Sequence, residues 1–363
     1  MSDTAVSPPS YRCGGCGARV EYTPGTTVLS CPYCGHRQEV AGAGREVREH
    51  AYAELVALPR KPAASVGAHT FVCPGCGART ESDALAQRCQ FCTAPLVADA
   101  EAGDLIAPEA VLPFAVDRAG VRTALGRWCS SRWFAPNTLK RVSEAETLKG
   151  TYLPHWTFDA RTVSAYRGQR GEYYWDTETY MVTVEDRQEM RTRQVRRTRW
   201  YPASGTVRRD FDDVLVPATT HLPRGQLDQL DPWPLAEAVA YHGDYLAGYH
   251  ALRYDIEPEP GLVEAKARMA PVIERDCRSD IGGDEQRVAA VDTRYSEVTY
   301  KLVLLPVWIA AYLHAGRSYQ VVVNGRTAEV VGERPYSAAK ITAAVLAAVA
   351  LVAALVVAYL MSR

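Results

Sequence analysis

The stretch Tyr11-Arg-Cys-Gly-Gly-Cys-Gly-Ala-Arg19 recurs sixty residues later as Phe71-Val-Cys-Pro-Gly-Cys-Gly-Ala-Arg79. Each copy opens a set of four cysteines. The first set is spaced C-x2-C-x14-C-x2-C and comprises Cys13, Cys16, Cys31 and Cys34. The second is spaced C-x2-C-x12-C-x2-C and comprises Cys73, Cys76, Cys89 and Cys92. The repetition predicts two small modules of the same kind.

The cysteine spacing is typical of metal binding. A C-x2-C turn directs two thiolates at one ion, and two such turns complete a tetrahedron around zinc. Gly17, Gly35 and Gly77 follow the second cysteine of a pair, where the turn favours positive φ. Because four cysteines leave no open coordination position, we predict two structural Zn²⁺ ions, one in each of two zinc ribbons. Disulfides are disfavoured in a reducing cytosol, and a redox C-x2-C would need a thioredoxin-like setting.

Each predicted ribbon is too short to fold on an apolar core alone. About 30 residues bury little apolar surface, so metal binding would supply the missing stability. We therefore expect chelation to unfold both ribbons and to leave the rest of the chain folded. The two remaining cysteines, Cys129 and Cys277, are predicted to be buried small apolar side chains.

The C-terminal end has the composition of a transmembrane helix. Residues Ile341 to Leu360 carry no charge, and a helix of that length spans roughly 30 Å, the thickness of the hydrocarbon core. The alternative is a buried core helix. Arg334 and Lys340 precede the apolar run, and Met1 to Ser10 lacks export-signal features. The sequence thus predicts a single-pass tail anchor in the cell membrane with the bulk of the chain in the cytoplasm. Alanines at four-residue spacing would permit homo-oligomers through this helix.

Composition limits the function of the remainder. The 363 residues carry a formal charge of −1, with 23% charged and 47% hydrophobic residues. This composition argues against a globally basic nucleic-acid binder and against wholesale disorder. We predict an α+β fold with an antiparallel sheet in the centre. The predicted units are zinc ribbon 1 (1–42), a helix and linker (43–68), zinc ribbon 2 (69–98), the central α+β domain (104–336) and the membrane anchor (337–363).

Local patterns predict the elements of these units. Helices are expected over 45–58, 121–133, 235–252 and 262–277, and strands over 173–216 with a turn at 202–205. Residues 319–331 read as a hairpin with Asn324-Gly325 as a type I′ turn.

One arginine-rich segment has several interpretations. On a strand, Arg191, Arg193, Arg197 and Arg199 would share one face and form a candidate anion-binding surface. That face could pair with nearby carboxylates in solvent, hold lipid head groups or an acidic partner, or bind nucleic-acid phosphates. Salt-bridged solvent exposure is the favoured of these interpretations.

Motifs for catalysis are missing from the sequence. The phosphate-binding pattern G-x4-G-K-[ST], the zinc-protease pattern H-E-x2-H and the nucleophile pattern G-x-S-x-G do not occur. Asp280-Ile-Gly-Gly-Asp284 could hold a divalent ion, but a helix-terminating turn is favoured. We predict that the protein is not an enzyme.

Several motifs together resemble a known family. They are the paired C-x2-C sets, Gly150-Thr-Tyr-Leu-Pro-His-Trp-Thr-Phe158, Phe211-Asp-Asp-Val-Leu-Val216, Asp280-Ile-Gly-Gly-Asp284, Leu304-Leu-Pro-Val-Trp308, Val323-Asn-Gly-Arg-Thr327 and Gly332-Glu-Arg-Pro335. This pattern resembles bacterial TFIIB-type zinc-ribbon membrane proteins, often labelled "primosomal protein N′ (replication factor Y), superfamily II helicase". The resemblance implies a membrane-associated protein, with SPFH-type membrane proteins as partners in an envelope-associated assembly. The helicase label has no nucleotide-binding motif to support it.

The sequence therefore favours one function and keeps another open. The favoured one is a non-enzymatic, membrane-anchored zinc-ribbon adaptor or scaffold that docks cytosolic or membrane proteins. The alternative is a membrane-tethered nucleic-acid-binding protein that uses the ribbons and the Arg191–Arg199 face.

Overall fold

A computed structural model describes residues 11–40, 45–55, 69–73, 79–82, 84–89, 95–97, 105–131, 148–184, 187–314, 317–332 and 338–361. The fold is mixed α+β with a largely antiparallel sheet, as the sequence predicts. The helices are α1 Tyr52–Leu55, α2 Arg118–Ser130, α3 Arg224–Asp228, α4 Pro258–Ile281 and α5 Ala338–Met361.

The N-terminal half contributes short strands. They are β1 Glu21–Tyr22, β2 Val28–Ser30, β3 Arg37–Glu39, β4 His50–Ala51, β5 His69–Val72, β6 Arg79–Ser82, β7 Ala86–Arg88, β8 Pro95–Val97 and β9 Ala110–Val111. The remaining strands are β10 Lys149–Val184, β11 Arg187–Pro217, β12 Val239–Ala240, β13 His250–Ala251, β14 Glu285–His314, β15 Arg317–Asn324 and β16 Val330–Gly332. Strands β1, β2 and β3 form a sheet of their own.

Three long strands organise the main sheet. Strand β10 lies between β14, which it pairs from Lys149 to Gly171, and β11, which it pairs from His155 to Val184. Short strands complete the edges: β13 runs parallel to β10 at its start, and β4, β9 and β15 follow one another along β14. Helix α4 packs across β10, β11 and β14 over a core that includes Trp156 and Phe158.

Two predicted helices are confirmed by caps at their ends. Helix α2 begins after Asp117, whose carboxylate accepts the N–H of Gly120 at 2.8 Å. Helix α4 ends at Ile281, and Gly282 and Gly283 then take φ of 65° and 77°. The Asp280–Asp284 segment is therefore the helix-terminating turn that the sequence favoured.

The helix expected over 45–58 is wrong for the described part. Only Tyr52–Leu55 is helical, because His50 and Ala51 instead pair with Tyr300 and Thr299 of β14. The helix expected over 235–252 is also wrong. That segment forms two 3-10 turns, Leu235–Glu237 and Gly243–Leu246, and the strands β12 and β13. In both segments, hydrogen bonds to distant strands replace the local helical ones.

Two expected turns differ as well. Residues 202–205 continue β11 without a break, since an edge strand tolerates the missing N–H of Pro202. The type I′ turn at Asn324-Gly325 is wrong, because neither residue has positive φ; Ala328 does, at 61°. The buried Asn324 side chain instead accepts the N–H groups of Arg326 and Thr327 and donates to the Leu230 carbonyl.

Helix α5 is apolar along its whole length. From Lys340 to Met361 it is 22 residues long and lies outside the protein core. Its length and its apolar composition are sufficient to cross a membrane, and α5 is the one helix of which this is true among the described residues.

Candidate metal centre and buried polar cluster

The first cysteine set forms a compact cluster of sulfur atoms. One sulfur from each of Cys13, Cys16, Cys31 and Cys34 lies within 4.8 Å of the other three. The Sγ atoms of Cys13 and Cys34 are 3.5 Å apart, and those of Cys16 and Cys31 are 3.6 Å apart. A tetrahedral site with Zn–S contacts of about 2.3 Å has edges of about 3.8 Å. The four cysteines could therefore hold one metal ion.

Backbone turns position the four sulfurs. Gly17 donates its N–H to the Cys13 carbonyl and Gly35 to that of Cys31, at 2.9 and 3.0 Å. Both glycines have positive φ, 70° and 72°, as the spacing predicts. The N–H of Gly15 points at Cys13 Sγ from 3.3 Å, so the first turn already donates to a ligand atom.

The electrostatics of the cluster favour a cation. Backbone N–H groups of Cys34 and Tyr33 lower the pKa of Cys31 to about 7. For Cys34 the N–H of His36 also lowers the pKa, but the sulfurs of Cys16 and Cys13 outweigh it and raise the pKa to about 12. The neighbouring sulfurs therefore favour ionisation of Cys31 and oppose ionisation of Cys34, so the four thiols do not ionise together. A divalent cation among the sulfurs would remove this conflict.

The second cysteine set is described in part. Cys73 and Cys89 are buried with Phe71 and Leu96 in a small apolar cluster. Cys76 and Cys92 lie outside the described residues. The second metal site thus remains a prediction.

The four-cysteine module, residues 11–40, is packed into the core of the protein. Tyr22 contacts Tyr245 and Tyr249, with ring centroids 5.3 and 6.4 Å apart, and its N–H donates to the Ala247 carbonyl at 3.0 Å. The N–H of Gly25 donates to the Phe114 carbonyl at 2.7 Å. The apolar cluster beneath the module runs without a break into the main sheet.

Residues 243–251 act as a hub for both cysteine segments. The first module binds its Tyr245 and Ala247, as above, and strand β7 next to the second set pairs with β13 at Ala251. Arg88 joins all three parts. Its guanidinium donates to the Gly248 carbonyl at 2.9 Å and pairs with Glu21 of the first module at 3.0 Å. Sequence reasoning missed this hub because it predicted a helix over 235–252. Gly243 and Gly248 were signals against a continuous helix.

The predicted arginine face is present. Arg191, Arg193, Arg197 and Arg199 lie opposite Tyr180, Glu178, Tyr174 and Glu172 and so share one face of the β10–β11 pair. Arg193 reaches Glu178 at 3.0 Å, Arg197 reaches Asp176 at 2.9 Å, and Arg191 reaches Glu189 at 3.3 Å. Three of the four guanidinium groups therefore already have carboxylate partners. Anion binding by this face stays a prediction.

A polar cluster that the sequence did not reveal fixes the segment between the two cysteine sets. The ammonium group of Lys301, which is 8% exposed, contacts Glu49 at 2.7 Å and Asp213 at 2.6 Å. Thr299 donates to Asp159 at 2.8 Å and to Glu49 at 3.1 Å. Asp212 brings a further carboxylate within 4.8 Å of Glu49 and Asp159. Glu49 directly precedes β4, so the cluster holds that strand on β14.

The pKa values of the two interacting carboxyl groups, Glu49 and Asp159, are shifted in opposite directions. Hydrogen bonding from Asp159 and Lys301 lowers the pKa of Glu49 to about 2. Burial, together with the hydrogen bond to Glu49, raises the pKa of Asp159 to about 6. Protonation of Asp159 therefore stabilises its contact with Glu49.

We expect attachment of β4 to weaken as the pH rises. A raised pKa contributes stability that is full below the unfolded value and is lost through about pH 6. The Glu49 contribution is lost only as the pH falls towards 2. Hydrogen–deuterium exchange, corrected for intrinsic rates, should show protection of 50–51 falling between about pH 4 and about 6.5.

Two variants assign the effect. Asp159→Asn keeps a donor towards Glu49 at every pH, so the pH dependence should disappear. His50→Gln is the control, because histidines in general ionise near the upper end of this window and His50 lies 3.2 Å from Glu109. If the pH dependence of protection disappeared in His50→Gln and persisted in Asp159→Asn, the assignment to Asp159 would be contradicted.

Comparison with known proteins gives one relative. The chain is similar to "Uncharacterized protein YdjG" of Bacillus subtilis (strain 168), with 25% identity over 339 residues, which is 92% of each chain. No protein-family profile and no solved structure matches the chain.

Proposed function

We propose that the protein is a membrane-anchored, zinc-stabilised adaptor that binds other proteins and catalyses no reaction. The observation that carries the proposal is the way the four-sulfur cluster is built into the molecule. The cluster offers four thiolates to one ion, which leaves no coordination position for a substrate, and its module packs directly on the central sheet. A metal in this site would therefore have a structural role: it would stabilise the folded four-cysteine module and the surface that the module presents to other proteins.

The membrane location is supported by helix α5 and its surroundings. The helix is long enough to span the hydrocarbon core, and basic residues precede it. We infer a single crossing with the N-terminal bulk in the cytoplasm of the cell. A reducing cytosol also keeps thiols available as metal ligands. SPFH-type membrane proteins remain the proposed partners.

The turn between Cys31 and Cys34 offers a surface for binding partner proteins. Tyr33 stands in this turn with 70% of its surface exposed. Two flanking metal ligands would hold the turn rigid, and an exposed tyrosine on a rigid turn offers contact area at low entropic cost.

Partner capture tests the proposal. The full chain is expressed in its native membrane, crosslinked and purified, and its partners are compared with those of Tyr33→Ala. We expect Tyr33→Ala to lose specific partners and to retain its metal. The matched control is Val263→Ala, which removes an equally exposed side chain from α4 and should lose none. Equal capture by both variants would count against the adaptor surface.

A membrane-tethered nucleic-acid binder is the second candidate, supported by the row of arginines on β11. Titration of the purified chain with a labelled duplex across a salt series separates it from the first. A steep loss of affinity with salt would support it. Because most of these guanidinium groups already bind carboxylates, we expect no binding near physiological salt.

A further inference from the structure

Beyond the first residue of β14, the main sheet continues among the described residues as two strands only, β10 and β11. Strand β14 begins at Glu285, which pairs with Gly171, and from there on β10 pairs only with β11 in the described part of the chain. We call residues 172–199 the arm. Its paired residues run from Glu172 opposite Arg199 to Val184 opposite Arg187, and thirteen residues of strand extend for about 43 Å.

The root of the arm is fixed to the turn after α4. The Tyr166 hydroxyl donates to Asp280 at 2.6 Å, and the Tyr173 N–H donates to Asp284 at 2.7 Å. Past these contacts the arm depends on pairing within itself. An isolated two-stranded ribbon is marginally stable in water, so an arm of this length needs a further contact.

The two strands of the arm carry opposite charge. Residues 172–184 of β10 contain Glu172, Asp176 and Glu178 and no basic residue, a net charge of −3. Residues 187–199 of β11 contain six arginines and Glu189, which is six positive charges against one negative and a net charge of +5. One strand of the arm is therefore acidic and the other is basic, and Arg193 and Arg197 pair with Glu178 and Asp176 across the two strands.

One face of the arm is nearly uncharged and exposes large side chains. Trp175 and Met181 lie on this face of β10, and Met190 lies directly opposite Met181 on β11. Their exposed fractions are 65%, 62% and 75%. Arg196 is the single charge on this face, and its guanidinium lies 4.1 Å from the centre of the Tyr173 ring.

The arm lies at the far end of the sheet from the membrane helix. Gly332, the last described residue before α5, pairs with Val321, which pairs with Ala310 of β14 near the start of β10. From that point to Val184 is a strand path of about 120 Å. Another copy of the chain carries the same two unpaired strand edges and is therefore a matching occupant.

We propose that the arm binds the arm of a second copy edge to edge, with β11 of one copy beside β10 of the next. Pairing two β11 edges would set six arginines against six, whereas the proposed pairing places Arg193 and Arg197 beside the neighbour's Glu178 and Asp176, the same kinds of pair that each hairpin makes within itself. In the register that the hairpin itself uses, Met190 meets the neighbour's Met181 and Arg196 meets the neighbour's Trp175, a favourable cation–π pair. The contact is heterologous, so it builds rings or rows.

Shortening the arm tests the contact. In the variant, Asn-Gly replaces residues 172–199 and joins Gly171 to Trp200, which are paired neighbours in the intact chain. Mass measurements on the full chain in detergent should show salt-sensitive oligomers of the wild type and a smaller species for the variant. The proposal would be overturned if the shortened chain formed oligomers with the same number of copies as the wild type, or if the wild type were a monomer.

Crosslinking tests the register in chains whose arm is intact. Thr179 and Thr192 are direct neighbours across the hairpin, so the proposed contact places Thr179 of one copy beside Thr192 of the next. A mixture of differently tagged Thr179→Cys and Thr192→Cys chains should form mixed disulfide dimers on mild oxidation. Each variant alone should not.

The control pair is Ala165→Cys with Thr206→Cys, which are also exposed cross-strand neighbours but lie outside the arm. We expect no dimers from that mixture. Dimers of Thr179→Cys alone, or equal yields from the arm and control mixtures, would overturn the proposed pairing of unlike edges.

Discussion

If the four-cysteine module binds zinc as proposed, removing the metal is expected to open the hub at residues 243–251 as well as the module itself. Metal binding contributes on the order of 10–16 kcal/mol in zinc-finger peptides, whereas whole domains are stable by only about 5–15 kcal/mol. The module shares its apolar core with Tyr245 and Tyr249, so its loss would expose both rings. The sequence alone predicted independent unfolding, and the shared core changes that expectation.

Hydrogen–deuterium exchange on the full chain measures the effect. Chelation, or Cys16→Ser in the exposed half of the site, should abolish protection in 11–40 and lower it strongly in 243–251. The control is Cys277→Ala, which alters a buried cysteine in the separate core under α4 and should leave the hub protected. A metal-free chain whose hub keeps full protection would show that the module is energetically independent.

Local patterns predicted the four-cysteine cluster because its geometry is local. All four cysteines lie within 22 residues, from Cys13 to Cys34, and glycine at the required positive-φ positions makes each turn recognisable. The partners of the module could not be found in this way. Phe114, Tyr245 and Tyr249 come from segments far apart in sequence, and their rings meet only in the folded chain.

The long strands show the same limit. Strand character was visible in 173–216, but Pro202 and Gly205 are typical of turns and predicted a break that does not occur. The sheet overrides this local preference, because every residue from Arg161 to Val184 finds a partner on β11. The opposite charges of the two strands of the arm were present in the sequence. Only the register shows that they form the two edges of a free ribbon.

Lys301→Met is expected to be among the most destabilising single substitutions in the chain. Its ammonium group is buried and contacts Glu49 and Asp213, with Asp159 close by. Burial lowers the pKa of Lys301, but the two carboxylates outweigh this and raise it above its usual value. Methionine would fill the space of the side chain and leave the carboxylates without their counter-ion. Because Glu49 and Asp213 are themselves 36% and 25% exposed, we expect a cost between that of an exposed pair, about 0–1 kcal/mol, and that of a fully buried pair, about 3–5 kcal/mol.

An exposed ion pair to the same strand, β14, provides the control. Arg161 lies on β10 and reaches Glu297 of β14 at 2.7 Å, the same distance as Lys301 to Glu49, but its side chain is 61% exposed. Exposed pairs contribute about 0–1 kcal/mol, so Arg161→Met should change stability little. Urea unfolding of the full chain in detergent, followed by tryptophan fluorescence, compares the two. Similar shifts would mean that solvent screens the Lys301 cluster as effectively as it screens the exposed Arg161 pair.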